Sequence, residues 1–227
     1  MRGCSRRRIP CGSSAVLVLL AVLAPARAEP QQVTEALVGD LARLLAAADA
    51  RRFDAPLFHE TLRHPEPAVR RQAALAAGRI GDPGAVELLI AALEDSSDQV
   101  QIAAAFALGL LKDARALPAL VGVIRARSAD PVAVEAVTAI AKVGGDDAAW
   151  VLRDMVASAA PTDVRVGPAV GQAVLESWRL GTRAPVAALL TFAQAADAAV
   201  RWRAVYALAR LRAPAGASAL LAALGDP

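Results

Sequence analysis

The chain has 227 residues, of which 56% are hydrophobic but only 4% aromatic, with two cysteines and a formal net charge of +3. Five of its 25 basic residues and none of its 22 acids lie in residues 1–28, so the remainder sets 20 basic against 22 acidic side chains, a net of −2. The pI near 9.4 therefore belongs to the N-terminal stretch and gives no argument for a nucleic-acid-binding surface. Both cysteines, Cys4 and Cys11, lie in that stretch too, which leaves the rest of the chain without a disulfide, a thiol nucleophile or a thiolate metal site.

Residues 1–28 read as a cleavable export signal. A basic segment around Arg6-Arg7-Arg8 precedes the apolar run Ala15–Ala24, and Ala26-Arg27-Ala28 supplies a small-residue cleavage site before Glu29. The apolar run is about half of the roughly 20 residues a membrane-spanning helix needs. Cys11 precedes the run rather than following it, unlike a lipoprotein signal. Ser5-Arg6-Arg7-Arg8-Ile9 partly resembles a twin-arginine motif but Pro10 departs from it, so the export route stays open. The expected location is periplasmic or extracellular, with no transmembrane segment after leader removal.

The rest of the chain is periodic. Val69, Val100, Val132, Ala169 and Val200 hold one equivalent position at spacings of 31, 32, 37 and 31 residues. Ala73, Ala104, Ala136, Ala173 and Ala204 keep the same register, as do Ile80, Leu111, Val143, Leu180 and Leu211, and Leu89, Leu120, Leu152, Leu189 and Leu220. Stepping one 31-residue period back from Val69 reaches Val38, with Ala42 under Ala73, Phe58 under Leu89 and Leu62 under Leu93. Residues 29–64 are thus expected to form a degenerate capping repeat, ahead of a repeat array over 65–227 of about five units.

In the first full unit, Val69, Ala73, Ala76 and Ile80 share one face of a helix from about Pro67 to Ile80. Gly81-Asp82-Pro83 ends that helix and starts a second, in which Val86, Leu89, Ile90 and Leu93 point inward. Asp95-Ser96-Ser97-Asp98 closes the unit and supplies an N-cap to the next. Later units vary the internal turn as Lys112-Asp113-Ala114, Gly144-Gly145-Asp146, Gly181-Thr182-Arg183 and Arg212-Ala213-Pro214. An alanine-rich stripe this narrow cannot be buried by one hairpin, so each must lean on its neighbours, and the fold class is an all-α solenoid of stacked antiparallel helix pairs.

The segments Pro67-Ala68-Val69-Arg70, Ala73-Ala74-Leu75-Ala76, Gly78, Ile80-Gly81-Asp82, Ala85-Val86 and Leu88-Leu89 resemble the short HEAT repeat named after phycobilisome lyases. Val200-Arg201 through Leu211 repeats the first half, and Val100 to Leu111 does so with Gln101 in place of Arg. The resemblance covers about residues 65–227 and implies an α-solenoid whose second helices line the concave side. It implies a binding scaffold more than an activity.

Two irregularities carry expectations. The interval between the third and fourth full units is lengthened around Ser158–Thr162, and the next helix contains Gly167, Pro168 and Gly171, all poor interior residues. This reads as a tolerated loop with a shortened helix, or as a bend shaping a groove near Trp150 and Trp178. At the other end, Gly225-Asp226-Pro227 stops before the next anchor, as in a longer array or one covered by a partner.

Catalytic signals are weak. His59-Glu60 lacks a second His four residues on, since residue 63 is Arg63 and the only other His is His64. Deoxyhypusine hydroxylases, which resemble this fold, use several His-Glu pairs for a di-iron centre; one pair here does not carry that activity over. There is no G-x-S-x-G, and Gly144-Gly145-Asp146 is not followed by a G-K-[ST] phosphate loop. Glu94-Asp95-Asp98 and Asp146-Asp147 sit where carboxylates cap helices. The last first-helix is basic through Arg201, Arg203, Arg210 and Arg212, with Trp202 exposed and Tyr206 in the core column of Leu75 and Phe106.

On the second helices, charge alternates by unit: Glu87 and Glu94, then Arg115, Arg125 and Arg127, then Arg153 and Asp154. The expected function is an exported, non-catalytic scaffold that binds a protein or peptide on this face, with Glu87, Arg115, Arg125, Arg153, Trp150 and Trp178 as candidate contacts. No metal, cofactor or nucleic acid is expected. The alternatives are the docking or sensor part of a longer envelope protein, and a lyase-like enzymatic member of the HEAT-like group.

Overall fold

The computed structural model describes residues 35–127, 129–159 and 166–225, which lie in one compact unit, Thr34–Pro227. The export-signal expectation for residues 1–28 and most of the lengthened loop after Ser158 lie outside the described residues.

Among the described residues twelve α-helices pair in chain order: α1 (Glu35–Asp49) with α2 (Ala55–Thr61), α3 (Pro67–Ile80) with α4 (Val86–Ala92), and α5 (Asp98–Leu111) with α6 (Leu117–Ala126). They continue as α7 (Pro131–Val143) with α8 (Gly145–Ala157), α9 (Pro168–Glu176) with α10 (Val186–Phe192), and α11 (Ala198–Leu211) with α12 (Ala217–Ala223). Every substantial helix contact joins elements of the same pair or of adjacent pairs. That is the neighbour-only packing of a solenoid.

The turn within a pair follows from backbone chemistry. Gly81, Lys112 and Arg212 adopt φ of 80°, 55° and 51°, the left-handed conformation that ends a helix. Asp82 then accepts from the Gly84 N–H at 2.7 Å and Asp113 from the Arg115 N–H at 2.9 Å, each starting a short 3-10 turn into the second helix. The fourth pair omits that turn, because Gly144 and Gly145, both at positive φ, lead straight into α8. In the fifth pair α9 ends at Glu176 and a 3-10 segment, Ser177–Arg183, kinks at Gly181.

The repeated columns form the core. Val69, Val100, Val132, Ala169 and Val200 are buried, as are Ala73, Ala104, Ala136, Ala173 and Ala204. Leu89, Leu120, Leu152 and Leu189 are buried with them, while Leu220 in the final pair is half-buried. The closest approaches between pairs use glycine. A Cβ added at Gly78 would lie 2.7 Å from both Cα and Cβ of Ala107, and one at Gly109 would lie 2.9 Å from Ala139 Cα. First helices therefore meet nearly backbone to backbone.

Polar ties join α3, α5 and α11 to the loops beside them. Arg70 holds Asp95 through two parallel bonds of 2.7 and 2.8 Å, and donates through Nη1 to the carbonyls of His64 and Pro65. In the next pair the polarity is reversed: Arg127, in the loop, reaches Asp98 at 2.7 Å, Gln101 at 2.6 Å and Asp130 at 2.5 Å. Gln101 in turn donates to the Asp95 carbonyl. Arg201 repeats the first pattern on the carbonyls of Ala195 and Ala196.

The capping pair differs from the register expected for it. Phe58 and Leu62 are buried under the columns of Leu89 and Leu93, but Val38 and Ala42 are exposed. Leu37, Leu41, Leu44 and Ala48 face inward instead, one residue earlier. The cause is the connection to α2, a longer loop over residues 50–54 with Arg51 at φ 47° and Phe53 stacked on Phe58 at 5.0 Å. One residue turns a helix by about 100°, which exchanges the inward stripe for its neighbour.

Candidate functional site

First helices carry Ala and Gly on their mutual faces, whereas the second helices carry Leu, Ile and Phe and are mostly shorter. Adjacent first helices consequently pack along much of their length, while adjacent second helices make few direct contacts. Clefts open between them. Between α2 and α4 one of about 180 Å³ is lined by His59, Leu62, Arg63, Leu88 and Asp95. Between α4 and α6 one of about 340 Å³ has a floor of Ile90, Leu93, Ala119 and Val123, with Glu94, Gln101 and Arg127 at its edges. Trp150, Arg153, Asp154, Ala157 and Pro185 enclose about 270 Å³ between α8 and α10. A fourth, of about 480 Å³, lies between α10 and α12 with Leu190, Val205, Gln194 and Arg201 on its walls.

The candidate contact residues distribute unevenly over these clefts. Trp150, 67% exposed, and Arg153 come together at the α8/α10 cleft. Arg125 is exposed on α6 and makes no ion pair among the described residues. Glu87 and Arg115 also meet, at 3.4 Å, but Arg115 is engaged in holding its own turn: it pairs with Asp113 at 2.7 Å and donates to the Pro83 carbonyl at 3.1 Å. The guanidinium holds the Asp113 carboxyl below the usual carboxylate range. This arginine latches two pairs together rather than standing ready for a ligand.

Trp178 does not line the α8/α10 cleft with Trp150. Its ring lies under two guanidiniums, Arg179 at 4.5 Å and Arg210 at 4.2 Å. Tyr206 is not in the core either; it is 36% exposed and stacks on Trp202, 59% exposed, at 5.6 Å. Its column is a half-buried ridge: Leu75, Phe106, Thr138 and Leu175 are all intermediate. Alanine and leucine at neighbouring positions conceal that edge in the sequence.

Sequence reasoning had Glu94 and Arg127 on this side but missed Gln101 at the edge of the α4/α6 cleft. Gln101, standing where the repeat has Arg, was the available signal: its amide bridges the Asp95 carbonyl on one side and Arg127 on the other. It also missed the polar cluster between α7 and α9, where Gln172 donates to Thr138 at 3.0 Å and to Glu176 at 3.0 Å, and Arg179 pairs with Glu176 at 2.6 Å. Beside it, Glu135 Oε1 is buried without a hydrogen-bond partner, 3.8 Å from Lys142 Nζ. Burial raises the Glu135 carboxyl above its ordinary value, and Lys142 offsets this only in part. A raised carboxylate favours the folded state at low pH and costs stability as pH rises through the folded value. Glu135→Gln should therefore be more stable than the parent at pH 7, the advantage shrinking toward pH 4, as read by urea unfolding at both pH values.

Among the described residues no three His, Cys, Asp or Glu side chains cluster as metal ligands would, and no helix is long and apolar enough to cross a membrane. The arrangement offers clefts with apolar walls, charged edges and partly exposed aromatics.

Comparison with known proteins agrees with the architecture. The crystal structure of an engineered protein superposes with a TM-score of 0.50 at 22% identity, covering 76% of this chain and 84% of that one, a likeness of fold alone. No curated protein matches the sequence. The model of HEAT repeats matches residues 17–100 and 86–167, and that of the PBS lyase HEAT-like repeat matches residues 200–226. With well over half of its length matched by the first of these, the chain belongs to the HEAT-repeat family.

Proposed function

We propose that this HEAT-repeat protein is an exported, non-catalytic scaffold that holds an extended segment of a protein partner across the clefts between its second helices. The observation that carries this is recurrence. Clefts recur along one side of the stack: those at α2/α4, α4/α6 and α10/α12 have aliphatic walls with charged side chains at the edge, and that at α8/α10 is lined by Trp150, Arg153, Asp154, Ala157 and Pro185. Side chains projecting at intervals from an extended peptide suit such a series, with apolar anchors in the clefts and charges at the rims. The α8/α10 cleft is the best candidate anchor point, because Trp150 offers a large exposed ring beside Arg153.

The test is selection from a random peptide display library, followed by binding measurements on purified variants. Peptides selected on this side should lose at least tenfold in affinity with Trp150→Ala or with Arg125→Glu/Arg153→Glu, and Glu87→Lys/Arg115→Glu should alter stability more than affinity. If selected peptides bind these variants as well as the parent, the second-helix face is not the recognition surface. Fractionation of the native host, with N-terminal sequencing of the recovered protein, tests export and cleavage near Ala28.

A further inference from the structure

The first-helix side of the last two pairs carries a surface that cleft binding does not use. From Ala198 to Leu211, α11 has no acidic side chain. Arg203 and Arg210 make no ion pair among the described residues. Neither is loosely placed. Arg203 runs across Gly171 of α9, so closely that a Cβ there would come within 2.6 Å of its Nη1. Arg210 lies over the Trp178 ring at 4.2 Å. Arg179 shares that ring, but its charge is matched by Glu176 at 2.6 Å. Between the two unmatched guanidiniums in sequence lie Tyr206 and, beside Arg203, Trp202, stacked on each other.

This exposure belongs to the position within a pair and not to the place of α11 along the stack. One hundred and thirty-one residues earlier the equivalents of Trp202 and Arg210 are Arg71 and Arg79 on α3, which has neighbours on both sides, and both are exposed.

We propose that Arg203, Arg210, Trp202 and Tyr206 form a second docking surface, and that its occupant is an acidic protein segment with an aromatic or large aliphatic side chain between its carboxylates. A guanidinium already laid in place presents its planar fork to a carboxylate with little further loss of side-chain freedom. The exposed rings supply the apolar anchor such interfaces use. Seven residues of helix separate the two arginines by about 10 Å along the axis, and two carboxylates three residues apart on an extended chain span about the same distance. A nucleic acid fits less well. Two unmatched cations release few counterions, and residues 29–227 carry a net charge of −2.

The glycine in α9 gains a purpose from this. Gly171, a poor helix former, leaves the space through which the Arg203 side chain passes. Gly171→Ala should raise the melting temperature, because alanine favours the helix and a flexible guanidinium can move aside, and should at the same time weaken the acidic ligand.

The experiment uses fluorescence polarisation with a labelled 12-residue peptide of Glu-Phe-Ser-Glu blocks, the same peptide with Ser for Phe, and a 12-nucleotide oligo-dT. The parent should bind the first peptide in a salt-sensitive manner and the other two at least fivefold more weakly. Arg203→Gln/Arg210→Gln should reduce affinity tenfold or more, Trp202→Ala about fivefold and Gly171→Ala about threefold, with unchanged circular dichroism. Arg125→Glu/Arg153→Glu, on the second-helix side, should stay within twofold, which separates this surface from the clefts. No binding by the parent, undiminished binding by the double arginine variant, or tighter binding of oligo-dT would each overturn the proposal.

Discussion

Gly78→Ala is expected to lower stability by about 2 kcal/mol, although alanine is the better helix former by about 0.5–1 kcal/mol. The added methyl would sit 2.7 Å from Cα and Cβ of Ala107. Backbone cannot swing aside as a side-chain tip can, so α3 and α5 must separate along a seam packed through Ala73, Ala74, Ala77 and Ala104. Overpacking of this kind typically costs about 1–3 kcal/mol, and the unyielding neighbour argues for the upper part of that range before the helix gain is subtracted. Urea unfolding monitored by circular dichroism checks it: the midpoint should fall with little change in slope. Gly109→Ala should behave alike, since Ala139 Cα stands 2.9 Å from the new Cβ. The contrast with Gly171→Ala is the informative part. The same substitution in the same kind of helix should change sign, because at Gly171 the obstacle is the end of an arginine. A stable Gly78→Ala variant would contradict close backbone packing of α3 on α5.

The second large effect concerns Arg70. Its side chain and that of Asp95 are only 11% and 10% exposed, and the two parallel bonds between them tie α3 to the loop that follows α4. Arg70→Ala removes both bonds together with those to the His64 and Pro65 carbonyls, leaving a covered carboxylate without its cation. A loss of about 2–3 kcal/mol is expected. Arg70→Ala/Asp95→Ala should recover part of it, giving a coupling energy of about 1 kcal/mol or more in a double-mutant cycle. The Arg70 guanidinium, helped by the Ser97 N–H, holds the Asp95 carboxyl below its ordinary value. Stabilisation from a depressed carboxylate is complete above its unfolded pKa near 4 and is lost as pH falls through the lower folded value. The gap in stability between parent and Asp95→Asn should thus be constant from pH 7 to about 5 and close below pH 4.

The architecture was legible because its causes are local. Gly81-Asp82 and Lys112-Asp113 mark turns, and the Val69 and Ala73 columns keep one period through five pairs, so the helices and their inward faces follow from spacing alone. The register of α1 was not legible. Leu37, Leu41, Leu44 and Leu45 give that helix more than one apolar stripe, and the loop ending at Asp54 decides between them. Glycine was only partly legible: Gly78 entered as part of the repeat motif and Gly171 read as a weakness, whereas Gly78 is required by the Ala107 backbone of the neighbouring pair and Gly171 leaves the space that the Arg203 side chain crosses.

The site was legible only in part, for a related reason. Periodicity indicates which side a residue occupies, and it located Arg153 and Trp150 on the second helices together. It does not indicate whether a charge is already spoken for. Arg115 and Arg127 are engaged by Asp113, Asp98 and Asp130, whereas Arg125 and Arg203 are not, and those pairings depend on side-chain reach across the gap between hairpins. Trp178 stood near the irregular segment in sequence, but the kink at Gly181 belongs to a 3-10 segment that sets the ring against Arg210.

Removal of one whole pair bears most directly on the claim that each hairpin is held only by those beside it. Deleting residues 98–129 takes out α5 and α6 and joins Ser97 to the N-cap Asp130, leaving Val69 and Val132 one period apart. Ala139 would then fall where Ala107 had been, 32 positions along, so that Gly78 again faces an alanine. The shortened protein should stay helical and unfold cooperatively, with a urea slope lower by roughly a sixth. Collapse into a non-cooperative, dye-binding state would show that contacts between distant hairpins hold the molecule together, and would contradict the nearest-neighbour solenoid.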